Sequence, residues 1–263
     1  MSTPPPSSDE LEGSEQPFVS HLIELRDRLI KALYGVAAIA IALALYPGPR
    51  HLYDLLAQPL LHAMPAGSKM IAVGVVTPFL IPIKVLVLAA LGVALPWVLY
   101  QVWAFVAPGL YKHEKRLVMP LVVSSTLLFY AGVAFCYFFV FGKAFPAIQS
   151  MAPESVAVTP DIEAYLDFVL TMFLAFGLAF EVPVVVVILA RLGVVTVEQL
   201  RSFRRYFWVA AAAVAGLATP PDAVSMMALL IPMGLLYEVG IVAAQVFIKH
   251  TRAPEEAEDR PAA

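Results

Sequence analysis

Two glutamates sit in basic, aromatic surroundings. Glu24 lies in HLIELRDRL (21–29), and Glu114 lies in YQVWAFVAPGLYKHEKR (100–116). A carboxylate accepts both prongs of an arginine guanidinium, so two fixed carboxylates can read a pair of external arginines. The plainer reading is local pairing, Glu24 with Arg28 and Glu114 with Lys115 or Arg116, worth ~0–1 kcal/mol at a surface. His21, Glu24 and Arg28 share a helical face by i, i+3 and i+4 spacing. Two further glutamates interrupt apolar runs, Glu181 in AFGLAFEVP and Glu238 near the end. A charge at membrane depth costs roughly 2.5–3.5 kcal/mol on insertion scales. Glu181 is therefore either a protonated residue bonded to a neighbouring helix or a polar point in a water-containing cavity. Glu238 invites the same question and has a simpler answer, neutralising a neighbour.

Enzyme chemistry is not expected. The sequence has no Walker loop, GxGxxG, HExxH, GxSxG or CxxC. Histidines 21, 51, 62, 113 and 250 lack metal-ligand spacing, so no metal or cofactor is expected. Ser124 and Ser125 have no intramembrane histidine to activate them. Cys136, alone in the sequence, cannot form an internal disulfide. No cleaved signal peptide is read, and no nucleic-acid partner is expected.

The elements that must position these residues are membrane helices. Of 263 residues, 60% are hydrophobic and 14% charged, and mean hydropathy is +0.81. Soluble domains carry about 25% charged residues. The apolar residues gather into runs near the ~20 needed to cross ~30 Å of hydrocarbon. The expected fold is all-α, a polytopic membrane protein with six spanning helices near 29–46, 79–105, 117–141, 164–190, 206–218 and 223–248. Long loops are expected at 47–78, with a small amphipathic piece at 51–61, and at 142–163. The tails, 1–17 and 249–263, are expected to be disordered, leaving one domain over 18–248. The fifth helix has only about a dozen apolar residues, so its 219–222 turn should lie below the outer surface. Its small residues Ala210–Ala213, Ala215 and Gly216 allow close helix approach. Orientation follows from the basic residues. Arg26, Arg28, Lys31, Lys112, Lys115, Arg116, Arg191, Arg201, Arg204, Arg205, Lys249, Arg252 and Arg260 fall on one side. Arg50, Lys69, Lys84 and Lys143 fall on the other. Both termini are thus expected in the cytoplasm.

The motifs HLIELRDRL (21–29), TPF (77–79), YQVWAFVAPGLYKHEKR (100–116), LLFY (127–130), AFGLAFEVP (175–183) and TPPD (219–222), in that order, resemble the TatC family. The resemblance spans about 18–248. It implies a glove-like, concave six-helix fold in a bacterial inner membrane. It also implies a receptor for twin-arginine signal peptides that exports folded cargo on the proton-motive force. Implied partners are single-span TatA and TatB subunits, membrane lipid and further copies of the chain. Carried over, Glu24 and Glu114 would contact the arginine pair. His21, Leu25, Arg26, Phe105, Pro108, Leu110, Tyr111, Lys112 and His113 belong to the same two motifs. Glu181 and Tyr137 match intramembrane positions, Pro59 an outer-loop proline, and Thr219 and Asp222 the fifth-to-sixth helix turn. Met226 departs from the glutamine of some relatives and puts hydrogen-bonded partner docking there in doubt. The alternative reading is a proton-coupled transporter using Glu181 and Glu238. Against it, the sequence has no repeated halves and no paired broken helices.

Overall fold

The structure, a computed structural model, describes residues 8–64, 69–106, 118–151, 153, 159–219 and 223–252. Among these the chain is helical: α1 (Ser8–Leu45), α2 (Pro49–Ala63), α3 (Thr77–Val106), α4 (Val118–Phe135), α5 (Phe141–Ser150), α6 (Ile162–Phe180), α7 (Val182–Arg191), α8 (Val197–Ala218) and α9 (Ala223–Arg252). The β structure among the described residues is an isolated parallel bridge between Ile71 and Asp161. Among the described residues, five helical runs are long and apolar enough to cross a membrane: 19–45, 77–106, 119–150, 162–191 and 223–246. The sixth expected helix, α8, has 22 residues, but Arg201, Arg204 and Arg205 make its first half polar. It is longer than its apolar part because Thr196 caps the polar turns, in a reciprocal box with Gln199.

Besides the start of α8, three boundaries differ clearly from the expectation. Helix α1 begins at Ser8, ahead of the expected start, through a run rich in the helix formers Glu, Leu and Gln. The loop expected from 142 is helical to Ser150. Helix α4 passes through a π turn, Cys136–Val140, straight into α5. Phe141, Ala144 and Phe145 recur at i, i+3 and i+4 and are all buried, so core packing extends the helix. The fourth spanning helix breaks at Glu181 into α6 and α7. Pro183 has no N–H to donate and its ring crowds the preceding turn.

Helix α6 is the central element. Leu166, Val169, Met172 and Phe176 form a stripe at i, i+3, i+6 and i+10 that is fully buried. Small residues let helices approach it. Gly132 of α4 lies on the Phe176 carbonyl, and Gly177 lies under the Phe129 ring. Helices α8 and α9 join through Phe207 stacked on Tyr237, with ring centroids 4.0 Å apart. The spanning part of α1, by contrast, buries nothing in the bundle. Its Gly35 meets the Trp97 ring of α3, and Trp97 Nε1 donates to the Lys31 carbonyl at 3.0 Å.

One end of the bundle is tied by polar contacts. Ile71 N–H donates to the Pro160 carbonyl at 3.0 Å, and Ile162 N–H donates to Ile71 at 2.9 Å. The Asp161 carboxylate caps α6 through Ala164 N–H and accepts from Val73 N–H, each at 3.2 Å. Lys84 of α3 pairs with Glu163 of α6 at 3.3 Å.

Candidate functional site

The candidate binding face starts on α1. The His21 ring stacks on Phe105 of α3, centroids 4.3 Å apart and 18° from parallel. Together with the Trp97 bond this fixes α1 against the last turns of α3. Glu24 lies one turn further along α1. Arg28 Nε and Nη2 donate to its Oε1 at 2.9 and 2.7 Å, the local pairing expected of these neighbours. Both contacts use one oxygen, and Oε2 has no hydrogen-bond partner among the described residues. The glutamate side chain is 34% exposed. Leu25 is exposed, and Arg26 pairs with Asp27 at 2.8 Å.

Helix α3 ends at Val106, and Glu114 follows eight residues on. Pro108, Leu110, Tyr111, Lys112, His113, Glu114 and, at the far turn, Asp222 lie outside the described residues. The structure thus brings His21 of α1 onto Phe105 of α3, with Glu24 one turn further along α1.

Pro59 and Tyr137 meet through a backbone carbonyl. Pro59 sits inside α2 and has no N–H, so the Leu55 carbonyl four residues earlier loses its helical partner. Tyr137, from the π turn, donates its hydroxyl to that carbonyl at 2.8 Å. Tyr165 of α6 donates to the next carbonyl, Leu56, at 2.8 Å. The same device recurs in α3, where Pro96 frees the Gly92 carbonyl and Tyr130 donates to it at 2.8 Å. Tyr165 was not singled out in the sequence, and Tyr130 stood there only within LLFY. The available signal was a proline four residues after a carbonyl, plus a tyrosine within an apolar run that needs an acceptor. Nearby, Tyr53 donates to the Met70 sulfur at 3.6 Å. Burial, then Asp54 and Asp161, push its phenol up to about 12.

Glu181 stands at the α6–α7 break with both carboxylate oxygens buried and no geometric hydrogen-bond partner among the described residues. The Ser125 hydroxyl is its polar neighbour and itself accepts from Trp103 Nε1 at 3.1 Å. Ser124 donates to its own helix, at the Leu121 carbonyl. Glu238 pairs with Arg204 at 2.6 Å across α8 and α9. That answers the Glu238 question with the simpler reading and takes from the transporter alternative one of its two carboxylates. Thr219 ends α8, its buried hydroxyl donating to the Ala215 carbonyl at 2.7 Å. Met226 is half-buried against the main core.

The described residues form a multi-helix membrane bundle with a small polar face where α1 meets α3. A family profile described as "Sec-independent protein translocase protein (TatC)" matches residues 20–232. TatC of Escherichia coli (strain K12) is 48% identical over 241 residues, 92% of this chain and 93% of that protein. TatC of Halothiobacillus neapolitanus is 49% identical over 249 residues, 94% of this chain and 68% of that protein. A solved structure described as a twin arginine translocase receptor, TatC, superposes with TM-score 0.72 at 36% identity, covering 86% of this chain and 98% of that one. The same receptor in a second crystal gives a TM-score of 0.74. The chain belongs to the TatC family. It is a multi-pass membrane component of Sec-independent protein translocation.

Proposed function

We propose that this chain is the receptor subunit of a twin-arginine translocase, binding signal peptides with paired arginines where α1 meets the end of α3. The observation that carries this reading is Glu24. Its Oε1 is held by Arg28, and Oε2 has no hydrogen-bond partner among the described residues, so the carboxylate is oriented before a ligand arrives. An incoming guanidinium takes Oε2, and Glu114 takes the second arginine. Preorganisation of this kind lowers the ordering cost of binding. Leu25, Arg26, Phe105, Pro108, Leu110, Tyr111, Lys112 and His113 form the rest of the site.

The basic residues orient the site and both termini to the cytoplasm of a bacterial inner membrane. Binding is followed by assembly with TatA and TatB single-span subunits and further copies of the chain. Folded cargo then crosses on the proton-motive force, with no covalent chemistry in this subunit. The partner helices dock on α8 and the start of α9, around Thr219, Asp222 and Met226. Glu181 supplies a polar point to a wetted concave face.

The test is crosslinking of a twin-arginine signal peptide to the membrane-inserted protein. Glu24→Lys and Glu114→Lys should each weaken capture several-fold without impairing insertion. Undiminished crosslinking to the double variant sinks this assignment.

A further inference from the structure

An apolar groove of about 380 Å³ runs between α4, α7 and α9. Leu121 and Leu128 form one wall, Val184 and Ile188 the second, and Leu236 and Val239 the third. The residues place it along the membrane normal. Leu128, Val184 and Leu236 lie toward the helix middles, while Pro120, Arg191 and Ala243 lie at the end that carries most of the arginines. On α7, Val184, Ile188 and Arg191 share one face by i, i+4 and i+7 spacing. Arg191, the last residue of α7, therefore lines the groove at its basic-side mouth. The lining is otherwise almost wholly apolar and the volume is that of a ligand site.

A uniformly apolar surface needs only bulk lipid. A lined groove closed at the interface by a guanidinium has a specific amphipathic complement, one acyl chain under an anionic headgroup. Basic pockets between spanning helices on the positive side take anionic lipid headgroups. Arg191 has a contact within the chain, and a guanidinium carries five N–H donors, so a phosphate can share it with that partner. We infer that the α4–α7–α9 groove is a binding site for one anionic phospholipid, with its phosphate on Arg191 and an acyl chain along Val184 and Ile188. This does not depend on how signal peptides bind, since it concerns other residues and another ligand.

Native mass spectrometry of the detergent-purified full chain, titrated with phosphatidylglycerol or phosphatidylcholine, tests it. The wild type should retain one phosphatidylglycerol in preference to phosphatidylcholine. Arg191→Gln should weaken that retention about fivefold, the worth of one arginine at an anionic headgroup. Val239→Trp keeps Arg191 and fills the rim from a largely exposed position, and it should abolish retention. Arg205→Gln, removing an exposed arginine that stacks on Tyr206, should leave it unchanged. Wild-type retention in both Arg191→Gln and Val239→Trp overturns the inference. So does equal loss in Arg205→Gln, which would mean a diffuse basic belt. A single-span helix that crosslinks into the groove while lipid stays bound elsewhere also overturns it.

Discussion

Single side chains decide where backbone polarity goes in this protein. Each helix-interior proline leaves a carbonyl without its partner, and in hydrocarbon that carbonyl cannot turn to water. Tyr137 answers for Leu55 and Tyr130 for Gly92. Removing the Tyr137 hydroxyl should destabilise by about 0.5–1.5 kcal/mol, the net worth of one hydrogen bond at a partly exposed site. Pro59→Ala restores an N–H to α2, so Tyr137→Phe should be markedly less damaging in that background. A double-mutant cycle of unfolding free energies measures this, and strict additivity would disprove the coupling. Tyr53 gives a pH dependence. Its phenol is pushed from 10.0 to about 12, first by burial, so the folded state favours the neutral form. That contribution is complete below pH 10 and fades as pH rises toward 12. Thermal unfolding of the wild type should therefore lose stability across this window more steeply than that of Tyr53→Phe.

Among elements, contact between helices depends on which glycines face a neighbour. A Cβ on Gly132 would meet the Phe176 carbonyl at 2.5 Å, whereas one on Gly142 meets nothing within 4 Å. Gly132→Ala should lower the melting temperature. Gly142→Ala should hold or raise it, by up to ~1 kcal/mol of helix propensity. Helix α8 splits its small residues between two roles. Ala211 and Ala215 are buried in the bundle, while Ala210, Ala213 and Gly216 are exposed, with Leu217 88% exposed. The exposed stripe is where a partner helix can approach closely. Cysteines at 210, 213 and 217 should crosslink to a single-span partner and those at 211 and 215 should not. Crosslinks confined to α1 or α3 would remove the docking surface from α8.

At the scale of the whole molecule, the buried carboxylate of Glu181, with the Ser125 hydroxyl as its polar neighbour, needs a proton or water. A cysteine at 181, in a background lacking Cys136, should react with a water-soluble thiol reagent if the concave face is wet. Complete protection from both sides would return Glu181 to the buried reading. The sequence by itself determined the all-helical membrane class, the spans near 79–105 and 223–248, and the pairing of Glu24 with Arg28. Apolar run length, proline position and i, i+4 spacing are local properties of the chain. The helical reading of 142–150, the break at Glu181 and the Tyr137–Leu55 bond were not legible there. The first looks polar until Phe141 and Phe145 find Tyr165 and Phe168 across the bundle. The second follows from Pro183, whose disruption a run of valines masks in any apolar average. Likewise, His21 and Phe105 are 84 positions apart in the sequence and stack only because Gly35 and Trp97 bring α1 onto α3. Contacts between distant segments arise from packing, which only the tertiary structure decides.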